Sequence, residues 1–76
     1  MKKYQLYIIT NIIPEITERI IRIIRHRGYL LYSINMNTIK KDNHIIFYII
    51  VKSYKSIHLL VQQIYKLIDV KNIRIQ

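Results

Sequence analysis

Cysteine and alanine are absent from this chain, and its 76 residues include only one glycine and one proline. Without cysteine, neither a disulfide framework nor a thiolate metal site can add to a small core, and a reducing cytoplasm is the expected setting. A single glycine also excludes a glycine-rich loop of the kind that cradles phosphates. At this length the chain is near the lower limit for a self-sufficient core, which makes a partner plausible.

Residues suited to catalysis are also few. Only four side chains are carboxylates, and two of them, Glu15 and Glu18, lie beside arginines on the solvated face of a predicted helix. Nothing in the pattern buries a carboxylate or raises its pKa, as a general acid requires. The three histidines lack metal-ligand spacing, and no serine stands in a nucleophile elbow. We expect no catalytic residue, no metal site and no bound cofactor in this chain.

Apolar residues make up 51% of the sequence but never form a long run. The longest, Ile45 to Val51, is far shorter than the roughly 20 residues that cross a bilayer. The basic start is followed by an apolar stretch that Gln5, Thr10 and Asn11 interrupt, with no small-residue cleavage site after it. We therefore expect neither a signal peptide nor a membrane partner.

The formal net charge of +9 has two interpretations. A strongly basic domain is typical of proteins that bind nucleic acid or anionic membranes. However, the twenty isoleucines, the many lysines and asparagines and the absence of alanine also fit a genome rich in A and T. The basic residues are scattered rather than clustered, which favours the second interpretation.

The first half of the chain alternates between strand and helix patterns. Lys3 to Thr10 is rich in Tyr, Ile and Leu and predicts a strand. A helix is predicted to follow Pro14, which suits a first turn, and Gly28 can adopt the left-handed conformation that ends it. Tyr29 to Thr38 predicts a second strand. The apolar stripe of the helix comprises Ile16, Ile20, Ile23 and Ile24. The two faces of the second strand hold Tyr32, Ile34 and Met36 on one side and Leu31, Ser33, Asn35 and Asn37 on the other.

The second half continues in the same way after a polar KKDN turn signal. Ile45 to Lys52 predicts a strand that is apolar on both faces, and Val70 to Gln76 predicts the last strand. Between them a helix is predicted, with Ser53 or Ser56 as its cap. The apolar stripe of this helix comprises Ile57, Leu60, Val61, Ile64 and Ile68.

The resulting order βαββαβ predicts an α+β, ferredoxin-like fold formed by residues 1–76 as a single domain. Four antiparallel strands form the sheet, and both helices lie on one of its faces. The other face is left apolar at Tyr7, Ile9 and one whole side of Ile45 to Val51. Because two helices cannot cover both faces, we expect another polypeptide to cover this one.

Two segments resemble one known family. Residues 14–36 combine the Pro14-Glu15 helix start with a run from Arg25 to Tyr29 in which a basic cluster precedes glycine and an aromatic residue. Residues 63–70 end in a Lys-Leu-x-Asp-Val sequence that leads into the last strand. Together these segments are similar to the small regulatory subunits of acetolactate synthase (acetohydroxyacid synthase), particularly the short isozyme II type.

This resemblance implies an ACT domain, a module that commonly forms homodimers side by side through its second strand. It also implies a partner: the catalytic large subunit of acetolactate synthase, which holds thiamine diphosphate, magnesium and FAD. That enzyme catalyses the first common step towards valine, leucine and isoleucine. The small subunit binds and activates it, so the resemblance places the chemistry and its cofactors outside this chain.

The resemblance also marks positions where valine-sensitive relatives bind their effector. Such relatives have Asn in the loop after the first strand, Gly at the helix start and Asn after the Gly-aromatic pair. The matching positions here hold Ile12, Glu15 and Leu30, with Asn11 and Pro14 beside them. A glutamate in place of glycine removes backbone room, and the loss of both amides removes polar groups for a ligand. We therefore predict no tight valine response.

A protein interface is expected on the open face and at the exposed edge of the second strand. An unpaired edge strand is a ready site for pairing with another chain. The residues expected there are Tyr7, Ile9, Tyr29, Leu31, Ser33, Asn35 and Asn37.

The RNA-recognition motif has the same element order and is the competing hypothesis. In that case Tyr7, Phe47 and Tyr48 would stack on bases while lysines and arginines bound phosphates. The predicted third strand lacks the basic residue, glycine and spaced aromatics of that motif, and its aliphatic face suits burial against protein better than stacking on bases.

Overall fold

A computed structural model describes all of residues 1–76 and contains six elements. They are β1 (Lys2–Asn11), α1 (Ile16–His26), β2 (Leu30–Ile39), β3 (His44–Ser53), α2 (Ile57–Tyr65) and β4 (Val70–Ile75). The predicted order βαββαβ is confirmed, with each predicted strand shifted by no more than a residue or two at its ends.

The four strands form one antiparallel sheet in the order β2-β3-β1-β4. The two central strands pair along their whole length, with Tyr7 opposite Tyr48 and Ile8 opposite Phe47. β2 is an edge strand, as the sequence predicted. The ferredoxin-like architecture is therefore confirmed.

One face of the sheet packs against both helices and forms a single hydrophobic core. Alternate residues of β1 and β3, among them Ile8 and Phe47, are fully buried there. Ile20 and Ile24 of α1 and Leu60 of α2 cover them. Full burial of such a side chain contributes about 1.5–3 kcal/mol, so this layer supplies most of the favourable free energy of folding. The core comprises Leu6, Ile8, Ile16, Ile20, Ile24, Tyr29, Ile45, Phe47, Ile49, Val51, Ile57, Leu60, Ile64 and Val70.

The end of α1 is fixed by Gly28, as its position in the sequence predicted. Gly28 has a φ of +82°, and its N–H donates to the carbonyl of Arg25 at 3.0 Å. The N–H of Tyr29 donates to the carbonyl of Ile24, also at 3.0 Å. These two bonds form a Schellman motif, which closes a helix through one left-handed residue. The start differs slightly from expectation, because Pro14 lies in a turn just before the helix.

The second helix begins as predicted but ends earlier. The hydroxyl of Ser56 accepts a hydrogen bond from the His58 N–H at 3.3 Å and caps the N-terminus, which selects Ser56 over Ser53. The predicted continuation to Ile68 is wrong, because α2 ends at Tyr65 and Ile68 is 91% exposed. A tight turn follows, in which Leu67 packs against the core in place of Ile68.

A register shift in β2 changes which side chains share a face. Leu31 pairs with Val51 and Ser33 with Ile50, so Tyr32 is the extra residue of a β-bulge. Leu31 therefore packs against the core, whereas the sequence predicted that it shares a face with Ser33. The predicted grouping of Tyr32 with Ile34 and Met36 is also wrong, since one inserted residue reverses the alternation beyond it.

Candidate functional site

The sheet face opposite the helices is apolar at its centre. Tyr7 and Ile9 of β1 alternate with buried residues and point away from the core, as do Ile46, Tyr48 and Ile50 of β3. The rings of Tyr7 and Tyr48 meet edge to face, with centroids 5.1 Å apart. We call these five residues and the polar side chains around them the open face. Its predicted apolar character is confirmed.

Three cations lie over aromatic rings on this face. The guanidinium of Arg74 lies 4.7 Å from the ring centroid of Tyr7. The ammonium groups of Lys3 and Lys52 lie 4.9 and 4.1 Å from the ring centroid of Tyr32. The ring quadrupole attracts a cation placed over its face, by about 0.5–1 kcal/mol at exposed sites, so these contacts favour the observed side-chain positions. The open face therefore presents positive charge at two fixed corners.

The four carboxylates all lie outside the strands. Glu15 and Glu18 lie at the start of α1, Asp42 lies in the hairpin between β2 and β3, and Asp69 lies in the turn before β4. No negative side chain therefore stands among the strand residues of the open face. The charge of the molecule is distributed unevenly, with acids in loops and at the start of α1 and unopposed cations on the sheet.

The predicted effector positions do not come together within one chain. Asn11, Ile12, Pro14 and Glu15 lie next to one another where β1 turns into α1. Leu30 lies at the far end of the sheet, because it pairs with Lys52 whereas Asn11 pairs with His44. Eight residues along β3 separate these two partners, which corresponds to about 27 Å.

Asn11 supplies the only side-chain amide where β1 turns into α1, and that amide is already hydrogen-bonded within the chain. The Nδ2 of Asn11 donates to Oδ1 of Asp69 at 3.3 Å, and the backbone N–H of Asn11 donates to the carbonyl of Asp69 at 2.9 Å. Glu15 stands at the cap position of α1 and its side chain makes no capping hydrogen bond. A carboxylate at this point would repel the carboxylate of an amino acid.

The predicted interface residues divide into two groups. Tyr7, Ile9, Ser33, Asn35 and Asn37 have their side chains on the open face or at the β2 edge next to it. The other two, Tyr29 and Leu31, pack against the core of their own chain, and Tyr29 is only 4% exposed. Placing these two at a surface was wrong, because the bulge and the Schellman turn direct both side chains inward.

Tyr29 instead joins the two helices. Its hydroxyl donates to the carbonyl of Ser56, the cap residue of α2. Burial raises the pKa of Tyr29 above its ordinary value, and the neighbouring Tyr4 raises it further, so the hydroxyl keeps its proton and remains a donor. The Nζ of Lys55 strengthens the same junction by donating to the carbonyl of Arg27 at 2.8 Å.

Sequence reasoning missed Tyr32, Lys52 and Arg74 as members of the open face. Their placement depends on strand pairing and on the bulge. One signal was present: Leu31 was the single apolar residue in a set that otherwise held Ser33, Asn35 and Asn37. An apolar residue on an otherwise polar face indicates a break in alternation.

No group of three or more His, Cys, Asp and Glu side chains lies close enough together to hold a metal ion. Neither α1 nor α2 has the length and hydropathy that a membrane-crossing helix needs.

Comparison with known proteins agrees with this fold. A family model described as "ACT domain" matches residues 13–73. Among solved structures, the ACT domain from GTP pyrophosphokinase of Chlorobium tepidum superposes with a TM-score of 0.82 at 14% identity, covering 97% of this chain and 96% of that one. The acetolactate synthase small subunit from Thermotoga maritima superposes with a TM-score of 0.86 at 20% identity, covering 99% of this chain and 47% of that one.

Curated sequences give a more specific relation. The acetolactate synthase isozyme 2 small subunit of Escherichia coli strain K12 is 35% identical over 75 residues, which cover 99% of this chain and 86% of that protein. The corresponding subunit of Shigella flexneri is equally similar. The chain belongs to the ACT-domain family, and within it to the small subunits of acetolactate synthase.

Proposed function

We propose that this chain binds the catalytic large subunit of acetolactate synthase and activates it. The observation that carries this proposal is 35% identity over 99% of this chain and 86% of an isozyme 2 small subunit. In this role the chain regulates the first common step of branched-chain amino-acid biosynthesis in the cytoplasm. The catalytic residues and the cofactors thiamine diphosphate, magnesium and FAD belong to the large subunit.

We expect the chain to act as a homodimer that is built through β2. This ten-residue edge strand pairs with β3 on one side and leaves the backbone groups of its outer side unpaired. A two-fold axis beside it would pair two copies antiparallel and extend the sheet to eight strands. Self-pairing of β2 also brings Leu30 of one copy towards the β1–α1 loop of the other, since the two positions lie at opposite ends of one sheet. A complete effector pocket of this type therefore requires the dimer.

We further expect this pocket to respond weakly or not at all to valine. The side chain of Asn11 is bonded to Asp69, Glu15 adds a negative charge, and Leu30 adds an apolar side chain that is 53% exposed. A bound amino acid needs partners for both its charged groups, and each group left without a partner costs about 1–3 kcal/mol.

The test is to co-express the chain with the large subunit of its own organism and to purify the complex. Acetolactate formation per large subunit should be higher in the complex than in the large subunit alone. If the two proteins copurify but the rate does not change, activation is refuted; if they do not associate, the whole assignment is refuted.

Valine binding is tested on the same complex by isothermal titration calorimetry. We expect no heat of binding at micromolar valine. Micromolar affinity would contradict the expected insensitivity without affecting the assignment as a small subunit.

A further inference from the structure

We propose that the open face is the surface that docks the large subunit, and that it recognises an apolar patch bordered by carboxylates. This inference rests on the proposed function and adds the location and the chemistry of the contact. The centre of the open face is formed by Tyr7, Ile9, Ile46, Tyr48 and Ile50. The charged corners of this face are formed by Lys3, Lys52 and Arg74.

The size of the face suits a stable protein contact. β1, β2 and β3 have ten residues each and are about 33 Å long, β4 has six, and the four strands are together about 19 Å wide, which gives a plan area somewhat below about 600 Å². Because side chains make the surface uneven, its accessible area is larger than this plan area and approaches the roughly 800 Å² per partner of a standard interface. The composition also fits, because interface centres are enriched in tyrosine and depleted of charge, whereas rims are polar.

The charge distribution indicates an acidic partner. Each cation on the face contacts a ring rather than a carboxylate, and all four carboxylates of the chain lie in loops or on α1. Arg74 and the two lysines are therefore held in position and still able to bind an external anion. Carboxylates at matching positions would steer association and fix its orientation.

A second copy of this chain is a poor partner for the open face. Two open faces stacked on each other would place six cations in one interface, with no strand carboxylate to pair with them. Like charges across an interface oppose association. Pairing through the β2 edge avoids this conflict and leaves the open faces of both copies free and continuous with each other.

Single-stranded RNA also fits less well. Bases stack on exposed ring faces, but Arg74 lies over Tyr7, and both Lys3 and Lys52 lie over Tyr32. Ile9, Ile46 and Ile50, which form the rest of the centre, cannot stack on a base. Only Tyr48, which is 43% exposed, offers a ring for that purpose.

The charge arm of the test uses two matched double variants of the full chain, each co-expressed with the large subunit. Lys3→Glu with Lys52→Glu reverses two charges on the open face. Arg22→Glu with Arg25→Glu makes the same change in net charge on the exposed surface of α1. We expect the first pair to weaken the complex at least tenfold at 0.1 M salt and the second to leave it within twofold of the wild type.

The apolar arm compares Tyr48→Ala with Tyr54→Ala. Tyr54 is 85% exposed in the loop before α2 and serves as the control. We expect only Tyr48→Ala to weaken the complex at least tenfold, and this loss should persist at 0.5 M salt, where the charge contribution is screened. Thermal unfolding of each isolated variant shows whether it is folded.

Several outcomes would overturn the proposal. If the wild type binds and activates the large subunit but the open-face variants bind equally well, the docking surface is elsewhere and only this inference fails. If the α1 variant loses as much affinity, the effect reflects net charge. Loss of self-association in Tyr48→Ala would identify a second copy as the occupant, and tighter binding of a single-stranded oligouridylate than of the large subunit would identify RNA. A wild-type chain that does not bind the large subunit refutes both the inference and the proposed function.

Discussion

Replacement of Gly28 by alanine tests the junction that orients α1 against the sheet. At a φ of +82°, alanine places its Cβ against its own backbone, which costs about 1–2 kcal/mol. The new Cβ would also lie 2.9 Å from Nζ of Lys55, so that side chain must move. Its hydrogen bond to the carbonyl of Arg27 is then lost, but this bond is exposed and contributes less than about 1 kcal/mol.

These two costs are partly offset, because alanine restricts the unfolded chain more than glycine does, by about 0.4–1 kcal/mol. The net loss should be about 1–2 kcal/mol in the free energy of unfolding. For a domain of this size each kcal/mol corresponds to about 4–8 °C, so Tm should fall by about 5–15 °C. Urea unfolding monitored by circular dichroism, at several protein concentrations to account for self-association, measures the change.

Two control variants separate the contributions. Gly28→Asn also displaces Lys55 but tolerates the left-handed conformation better, so it should cost less than alanine. Lys55→Ala removes only the hydrogen bond and should cost least. If Gly28→Ala is as stable as the wild type, or if Lys55→Ala costs as much, the argument from backbone strain is wrong.

Other substitutions probe the remaining contacts. Tyr29→Phe removes the hydroxyl that donates to the Ser56 carbonyl and should cost about 1 kcal/mol in the free energy of unfolding. Because the folded pKa of Tyr29 is raised, this contribution should be fully present below the unfolded pKa of about 10 and should disappear as pH rises through the folded pKa. Urea unfolding of both proteins at pH 7 to 11 measures this dependence. Ser56→Ala should cost about 1 kcal/mol by removing the cap of α2, and rescue by Ser56→Asp would confirm that capping is the cause. Phe47→Ala should cost about 3–5 kcal/mol, a large part of the total stability of about 4–11 kcal/mol expected for a domain of this length, and the urea midpoint should fall accordingly. Ile68→Asn should change stability by less than about 0.5 kcal/mol because its side chain is solvated; a large loss would show that Ile68 is packed.

The sequence alone determined the element order and most of the core. Period-four spacing of isoleucines identified α1, and Gly28 marked its end, because both signals act over a few residues. The two apolar faces of β3 predicted that the sheet face opposite the helices is apolar, as the structure has it. The absence of cysteine and the scarcity of carboxylates were equally visible without a structure.

Tertiary structure decided what depends on pairing between distant residues. The bulge at Tyr32 arises from the register between β2 and β3, and it turned Leu31 inward and placed the tyrosine between two lysines. The early end of α2 arises from the path that the chain takes to reach β4, which left Ile68 in solvent. The single apolar residue Leu31 on an otherwise polar face was the only local signal of the bulge, and none marked the early end of α2. Alternation and helical spacing describe one element at a time, whereas register and chain path are fixed by the element opposite.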